Sequence, residues 1–184
     1  PNFDSYSSEG KFQPTTKRGY DMYEVVSALQ KSIRRDMPED AVYWGMELRN
    51  SGFVKYMWRR LLIICAEDID DANVISAVKI LNDNYFEVDK DRPHRIFITR
   101  AILLLCKANK NRNADHYQNL YDYDETKKQI PIYALDKHTK KGKAMGKNKL
   151  DFFVDEHKGL NPLVDDENDR LVYNRLIDKI KKEK

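Results

Sequence analysis

Turn-forming residues are scarce in this chain. Seven glycines and six prolines in 184 residues are too few for an all-β sandwich, which needs a turn after each of many short strands. Cysteine is almost missing. Cys65 and Cys106 each sit inside an apolar run, Leu-Leu-Ile-Ile-Cys-Ala and Ile-Leu-Leu-Leu-Cys-Lys, where a thiol packs as a small hydrophobe. The expectation is two reduced core thiols in a cytoplasmic protein, rather than a disulfide or redox site. No apolar run approaches the roughly 20 residues of a membrane-spanning helix. The opening Pro-Asn-Phe-Asp-Ser has neither the basic start nor the apolar stretch of a signal peptide, so neither membrane nor export is expected. An excess of one charge is also missing: 33 Lys and Arg against 30 Asp and Glu give a net charge of +3. That balance permits nucleic-acid contact without arguing for it, and clustering has to decide.

What is present points to helices. The chain is 41% hydrophobic and 34% charged, a globular balance with a charged surface, and its dominant Leu, Ile, Lys, Glu and Arg are good helix formers. Residues 1–16 are polar and read as an arm. Met22, Val25, Val26, Leu29 and Ile33 then recur at three- and four-residue spacing. Asp36-Met-Pro-Glu offers a cap, a first-turn proline and a capping-box acid for a second helix, with Ala41, Trp44, Gly45 and Leu48 inside. A third helix ends in Leu61 to Ala66, apolar on every side and so expected to be the central buried one. Val74, Val78, Leu81 and Tyr85 mark a fourth helix. Pro93 starts a fifth with Phe97, Ala101, Leu104 and Leu105 on one face, and Tyr117, Leu120 and Tyr121 suggest a weaker sixth. After an extended Ile130-Pro-Ile-Tyr133 the composition turns to Lys and Gly, and a last helix carries Val172, Tyr173, Leu176, Ile177 and Ile180. The fold class expected is all-α, an antiparallel array of about six to eight amphipathic helices. Residues 17–135 form the main helical domain, and residues 136–184 a basic segment and terminal helix packed on it.

The run from Arg18 to Arg34, with Tyr20, Lys31 and Ser32 inside it, resembles the opening of the C-terminal region of the replication-associated recombination AAA+ ATPases. These are the bacterial relatives of the Werner-helicase-interacting ATPase. The likeness continues in order. Asp40-Ala-Val-Tyr-Trp44 is similar to that family's Ala-x-Tyr-Trp helix. Arg59-Arg60-Leu61 and Ala66-Glu67-Asp68-Ile69 are similar to its Arg-Arg-Leu and Ser-Glu-Asp-Ile-Gly signatures, and Ala108-Asn-Lys-Asn-Arg-Asn113 to its Pro-Lys-Ser-Asn turn. Ala134 to Gly146 resembles a basic segment of some members. The chain departs from the pattern at Arg35 and Asp70, where the family has Gly. The resemblance covers about Thr15 to Phe153 and implies a clamp-loader-collar-like helical module that assembles homotetramers beside a motor at replication forks. With no ATPase half in view, it implies a non-enzymatic oligomerisation module with no cofactor. The partners expected are copies of itself, with DNA, a full-length AAA+ ATPase or a single-strand-binding protein as further candidates.

The residues themselves offer few chemical sites. Gly142-Lys-Ala-Met-Gly146-Lys147 has one residue too few between its glycines for a P-loop, no Ser or Thr after Lys147 and no strand leading into it. Lys137, Lys140, Lys141, Lys143, Lys147 and Lys149, beside His138 and Thr139, are the candidate nucleic-acid contacts, since such a cluster can neutralise several phosphates. The alternatives are a solvated loop or a subunit contact with an acidic surface such as Asp165 to Asp169. Glu67, Asp68, Asp70 and Asp71 lie at a helix C-terminus, where they oppose the macrodipole and need compensation. An arginine such as Arg34, Arg59 or Arg60, with Asp70 or Asp71 capping the next helix, suits them better than a metal, because no EF-hand spacing is present. His94, His116, His138 and His157 are scattered without zinc spacing, and the acid-x-Lys pair near Lys158 has no strand around it.

Overall fold

The computed structural model describes residues 14–88 and 94–183. Among these the protein is all-α, with nine α-helices, one short 3-10 turn and two isolated β-bridges. No helix among them is long and apolar enough to cross a membrane. The chain divides into two compact units, one through Asp124 and one from Glu125, ahead of the shift in composition at Asp136.

In the first unit, Asp21 caps α1 (Met22–Arg34) by accepting the amides of Tyr23 and Glu24 at 2.8 and 3.0 Å, satisfying donors that a helix start leaves open. Asp36, which the sequence offers as the cap of the second helix, instead closes the first. Its φ of 53° is a left-handed conformation that short polar side chains tolerate, and it lets the Met37 amide reach the Ser32 carbonyl at 3.0 Å. The second helix, α2 (Pro38–Asn50), then starts on Pro38 without a side-chain cap. Its inner face is Ala41, Gly45, Leu48 and the acid Glu47, while Trp44 stays half-buried. Gly45 permits a close approach: a Cβ there would meet Ile102 Cδ1 at 2.4 Å.

Gly52, at φ +85°, makes the turn into α3 (Val54–Asp68). Met57, Trp58, Leu61, Ile64 and Cys65 are buried, but Ile63 is 40% exposed. The helix therefore has an outer face, and its all-apolar second half is not enclosed on every side. Asp71 caps α4 (Ala72–Val88), accepting from the amides of Asn73 and Val74. Pro93 lies outside the described residues. The next helix, α5 (Arg95–Lys107), buries Ile98, Ala101, Ile102, Leu105 and Cys106, a face turned from the expected one so that Phe97 and Leu104 lie at its margin. Helices α1, α2, α3, α4 and α5 share one core. Burial pushes both thiols up, Cys65 and Cys106 each to about 11, as expected of inert core cysteines. A short helix, α6 (Asn113–Asp122), runs beside α3.

The second unit contains a 3-10 turn at Ile132–Ala134, then α7 (Lys140–Ala144), α8 (Lys149–Lys158) and α9 (Glu167–Lys182). Helix α7 stands in the Lys- and Gly-rich stretch, for which a solvated loop is one of the expectations, and α8 just beyond it is a helix that the sequence reading leaves unassigned. A capping box starts α8: Asn148 accepts from the Asp151 amide and Asp151 from the Asn148 amide, so two open donors are satisfied together. The unit's buried residues include Ile177 and Ile180 of α9, which packs on α8.

Candidate functional site

The acids at the end of α3 form a polar cluster in the first unit. Asp68 is fully buried and accepts from Arg34 Nε at 3.0 Å, Arg34 Nη2 at 3.1 Å, Arg112 Nη1 at 2.8 Å and Gln30 Nε2 at 3.2 Å. Glu67 accepts from Arg112 Nη1 at 3.0 Å and Gln30 Nε2 at 2.7 Å. Arg112 also donates to Asp115 at 2.5 Å. Burial works against the Arg112 charge, but hydrogen bonds to Glu67, Asp115 and Asp68 outweigh it and raise its pKa. The main chain closes the same corner, with the Asp70 amide bonded to Asn109 and the Asn111 amide to Asp68, each at 2.9 Å. The cluster thus ties α1 and α3 to the link between α5 and α6.

Of the three arginines the sequence offers to these acids, Arg34 serves. Arg59 is exposed and has no ion pair among the described residues, and Arg60 keeps its Nε buried without a hydrogen-bond partner there. Arg112 is the cation that sequence reasoning missed, because its pairing spans 44 residues. Compensation by guanidinium groups removes the reason for a cation. Among the described residues no group of three or more His, Cys, Asp or Glu is arranged to hold a metal.

A second corner fixes the chain ahead of α1. Glu47, 1% exposed, accepts the Arg18 amide at 3.0 Å and pairs with the Arg18 guanidinium. Burial pushes Glu47 up, but hydrogen bonds from Thr16 and from the Arg18 amide and side chain outweigh it and hold Glu47 below its ordinary value. Beside it Tyr20 meets Trp44 edge-on at 5.5 Å, Tyr43 meets Trp44 at 4.7 Å, and Arg18 lies 5.3 Å from the Tyr43 ring centre. The motif residues Tyr20 and Trp44 therefore belong to one aromatic corner. Ser32 supplies the carbonyl that stops α1, while Lys31 is exposed and its carbonyl accepts from Arg35.

The six lysines of the basic segment divide. Lys137 lies 5.5 Å from the Phe152 ring centre, Lys147 donates to Asp155 at 2.8 Å and Lys149 to Glu183 at 3.1 Å. The Asp155 contact raises the Lys147 pKa. Lys140, Lys141 and Lys143 lie exposed on α7 with no acidic partner among the described residues. Both glycines of the P-loop-like run have structural duties. A Cβ on Gly142 would stand 1.9 Å from the Asp136 carbonyl oxygen, and Gly146 takes a left-handed φ of +79° just after α7. The acidic run downstream serves α9: Asp166 caps it and Asp165 pairs with Arg170.

Apolar surface is left on both units. Tyr117, Leu120 and Tyr121 of α6 are each at least half exposed, as are Leu160, Leu163, Val164 and Val172 around the start of α9.

Comparison with known proteins gives this arrangement a setting. The family model of the MgsA AAA+ ATPase C terminal matches residues 36–161. Over 125 residues, 66% of the chain, the sequence is 30% identical to replication-associated recombination protein A of Haemophilus influenzae, covering 27% of that protein. It is 33% identical over 99 residues, 53% of the chain, to the protein of that name from Bacillus subtilis, covering 24% of it. With the Escherichia coli protein of that name the identity is 26% over 139 residues, 70% of the chain and 30% of that protein. The chain thus spans less than a third of the length of these relatives.

Proposed function

The chain belongs to the family of MgsA AAA+ ATPase C-terminal regions, and from that premise we propose that it is a non-enzymatic assembly module, a cytoplasmic homotetramer serving DNA replication and recombination. The link to replication and recombination rests on the relatives, each named for that process.

One observation carries the assembly reading. Tyr117, Leu120 and Tyr121 form an i, i+3, i+4 stripe on α6, yet no residue of that helix is buried. A ten-residue helix is marginal by itself in water, and a stripe of two tyrosines and a leucine has the makeup of an interface core. Sister copies are the first partners of this surface. A full-length AAA+ ATPase with the same C-terminal region and a single-strand-binding protein are the further partners of this reading.

The test is solution mass by sedimentation or multi-angle light scattering at micromolar concentration. A tetramer is expected, and Leu120→Asp with Tyr121→Ser is expected to lower the mass without loss of helical content. A monodisperse wild-type monomer overturns the proposal.

A further inference from the structure

The second unit carries two unmatched surfaces of opposite character. One is α7, where Lys140, Lys141 and Lys143 are exposed without acidic partners among the described residues, and Met145 just beyond it is 54% exposed. The other is an open groove of about 650 Å³ at the start of α9, floored by Leu160, Pro162, Leu163, Val164 and Val172 and edged by Asp166 and Asp169. Asp166 is occupied as the helix cap, whereas Asp169 at the edge and Glu167, beside Asp166 in the first turn but not lining the groove, have no basic side-chain partner among the described residues.

From this complementarity we infer that the groove receives the α7 turn of a second copy, Met145 entering the apolar floor while Lys140, Lys141 and Lys143 face Glu167 and Asp169. No residue of α7 lines the groove, and no α7 lysine pairs with an acid of residues 165–169, so the two surfaces do not satisfy each other within one chain. The apolar floor is what favours a protein occupant for this pair of surfaces. Phosphates alone would match the lysines and leave Leu160, Leu163 and Val164 in water. A contact made by two different patches is head-to-tail, and head-to-tail contacts close into rings when the rotation permits. The inference rests on the assembly reading above, adds a contact separate from the α6 stripe, and uses a groove that lies largely beyond residues 36–161 of the family match.

The experiment uses the full chain in two charge-reversed forms, Lys140→Glu/Lys141→Glu/Lys143→Glu and Glu167→Lys/Asp169→Lys, with Asp166 kept as the cap. Each alone is expected to show a dissociation constant raised by a factor of roughly a hundred or more, because like charges then face each other across the contact. The wild-type association is expected to weaken with added salt. Mixing the two forms pairs every reversed α7 with a reversed rim and every native α7 with a native rim, so assembly is expected to return in the mixture. Recovery on mixing also shows that both forms fold.

An oligomeric wild type with either reversed form assembling unchanged, or a mixture that stays dissociated, overturns this contact and leaves the α6 reading standing. A monomeric wild type ends both. Lysine reversal that abolishes binding of a single-stranded or duplex oligonucleotide while the mass stays unchanged assigns α7 to nucleic acid and likewise overturns the contact.

Discussion

Replacing Asp68 by Asn tests the physical account of the first unit most directly. The substitution keeps the shape and removes the charge from a fully buried carboxylate that accepts from Arg34, Arg112 and Gln30. Breaking a buried ion pair by removing one partner costs roughly 3–5 kcal/mol, because the other charge is left uncompensated. Here the two guanidinium groups keep 29% and 31% exposure, so water recovers part of their solvation, and Glu67 stays to hold both. The expected loss is therefore about 2–3 kcal/mol. In a domain of this size that lowers Tm by on the order of 10 °C. Calorimetry or a circular-dichroism melt reads the shift, with Arg59→Met as the control, since Arg59 is exposed and has no ion pair among the described residues. A cycle with Arg34→Met should give a coupling of about 1 kcal/mol or more. An Asp68→Asn protein that melts within about 2 °C of wild type refutes the argument, because a carboxylate holding two arginines cannot be lost so cheaply.

Two further outcomes follow from the other corners. Glu47 is held below its ordinary pKa by Thr16 and Arg18 despite its burial. It therefore contributes stability that is fully present above the unfolded carboxylate pKa, about 4.3, and is lost as pH falls through the lower folded value. Urea melts should show Glu47→Gln less stable than wild type at neutral pH, with the gap closing in acid; a gap independent of pH counts against the assignment. In the second unit, Gly142→Ala forces a Cβ against the Asp136 carbonyl and should cost more than Gly146→Ala, whose left-handed backbone costs about 1–2 kcal/mol. Equal melting of the two variants would show that the Asp136–Gly142 approach is not maintained.

Local chemistry was readable along the chain because its causes lie within a few residues. The α1 stripe from Val25 to Ile33, the Asp71 cap of α4 and the Gly52 turn each depend on neighbours three or four positions away. The ordered motifs from Arg18 to Ile69 placed the chain in its family for a related reason: a segment that packs in one way keeps a recognisable order of residues. The short helices α7 and α8 were legible in principle, through the Thr139 and Asn148 caps; the density of lysine and glycine hid α7, and ten residues gave α8 little periodicity to show.

Pairing across the fold was readable only at Arg34, one of three arginines that the sequence offers to Glu67 and Asp68. Nothing near Arg112 in the sequence says that it meets Asp68, and nothing near Glu47 says that an acid on the inner face of α2 will be held by Arg18. The lysines looked alike as a run, yet only folding shows that Phe152, Asp155 and Glu183 engage three of them and leave Lys140, Lys141 and Lys143 outward. Sequence alone determined helices α1 to α6 and α9, the aspartate caps of α4 and α9, and the family, since these follow from periodicity and local hydrogen bonding. The tertiary structure decided which charges are spent inside the molecule and which remain for a partner, because a charge is satisfied by whatever group lies within about 4 Å in space, however distant along the chain.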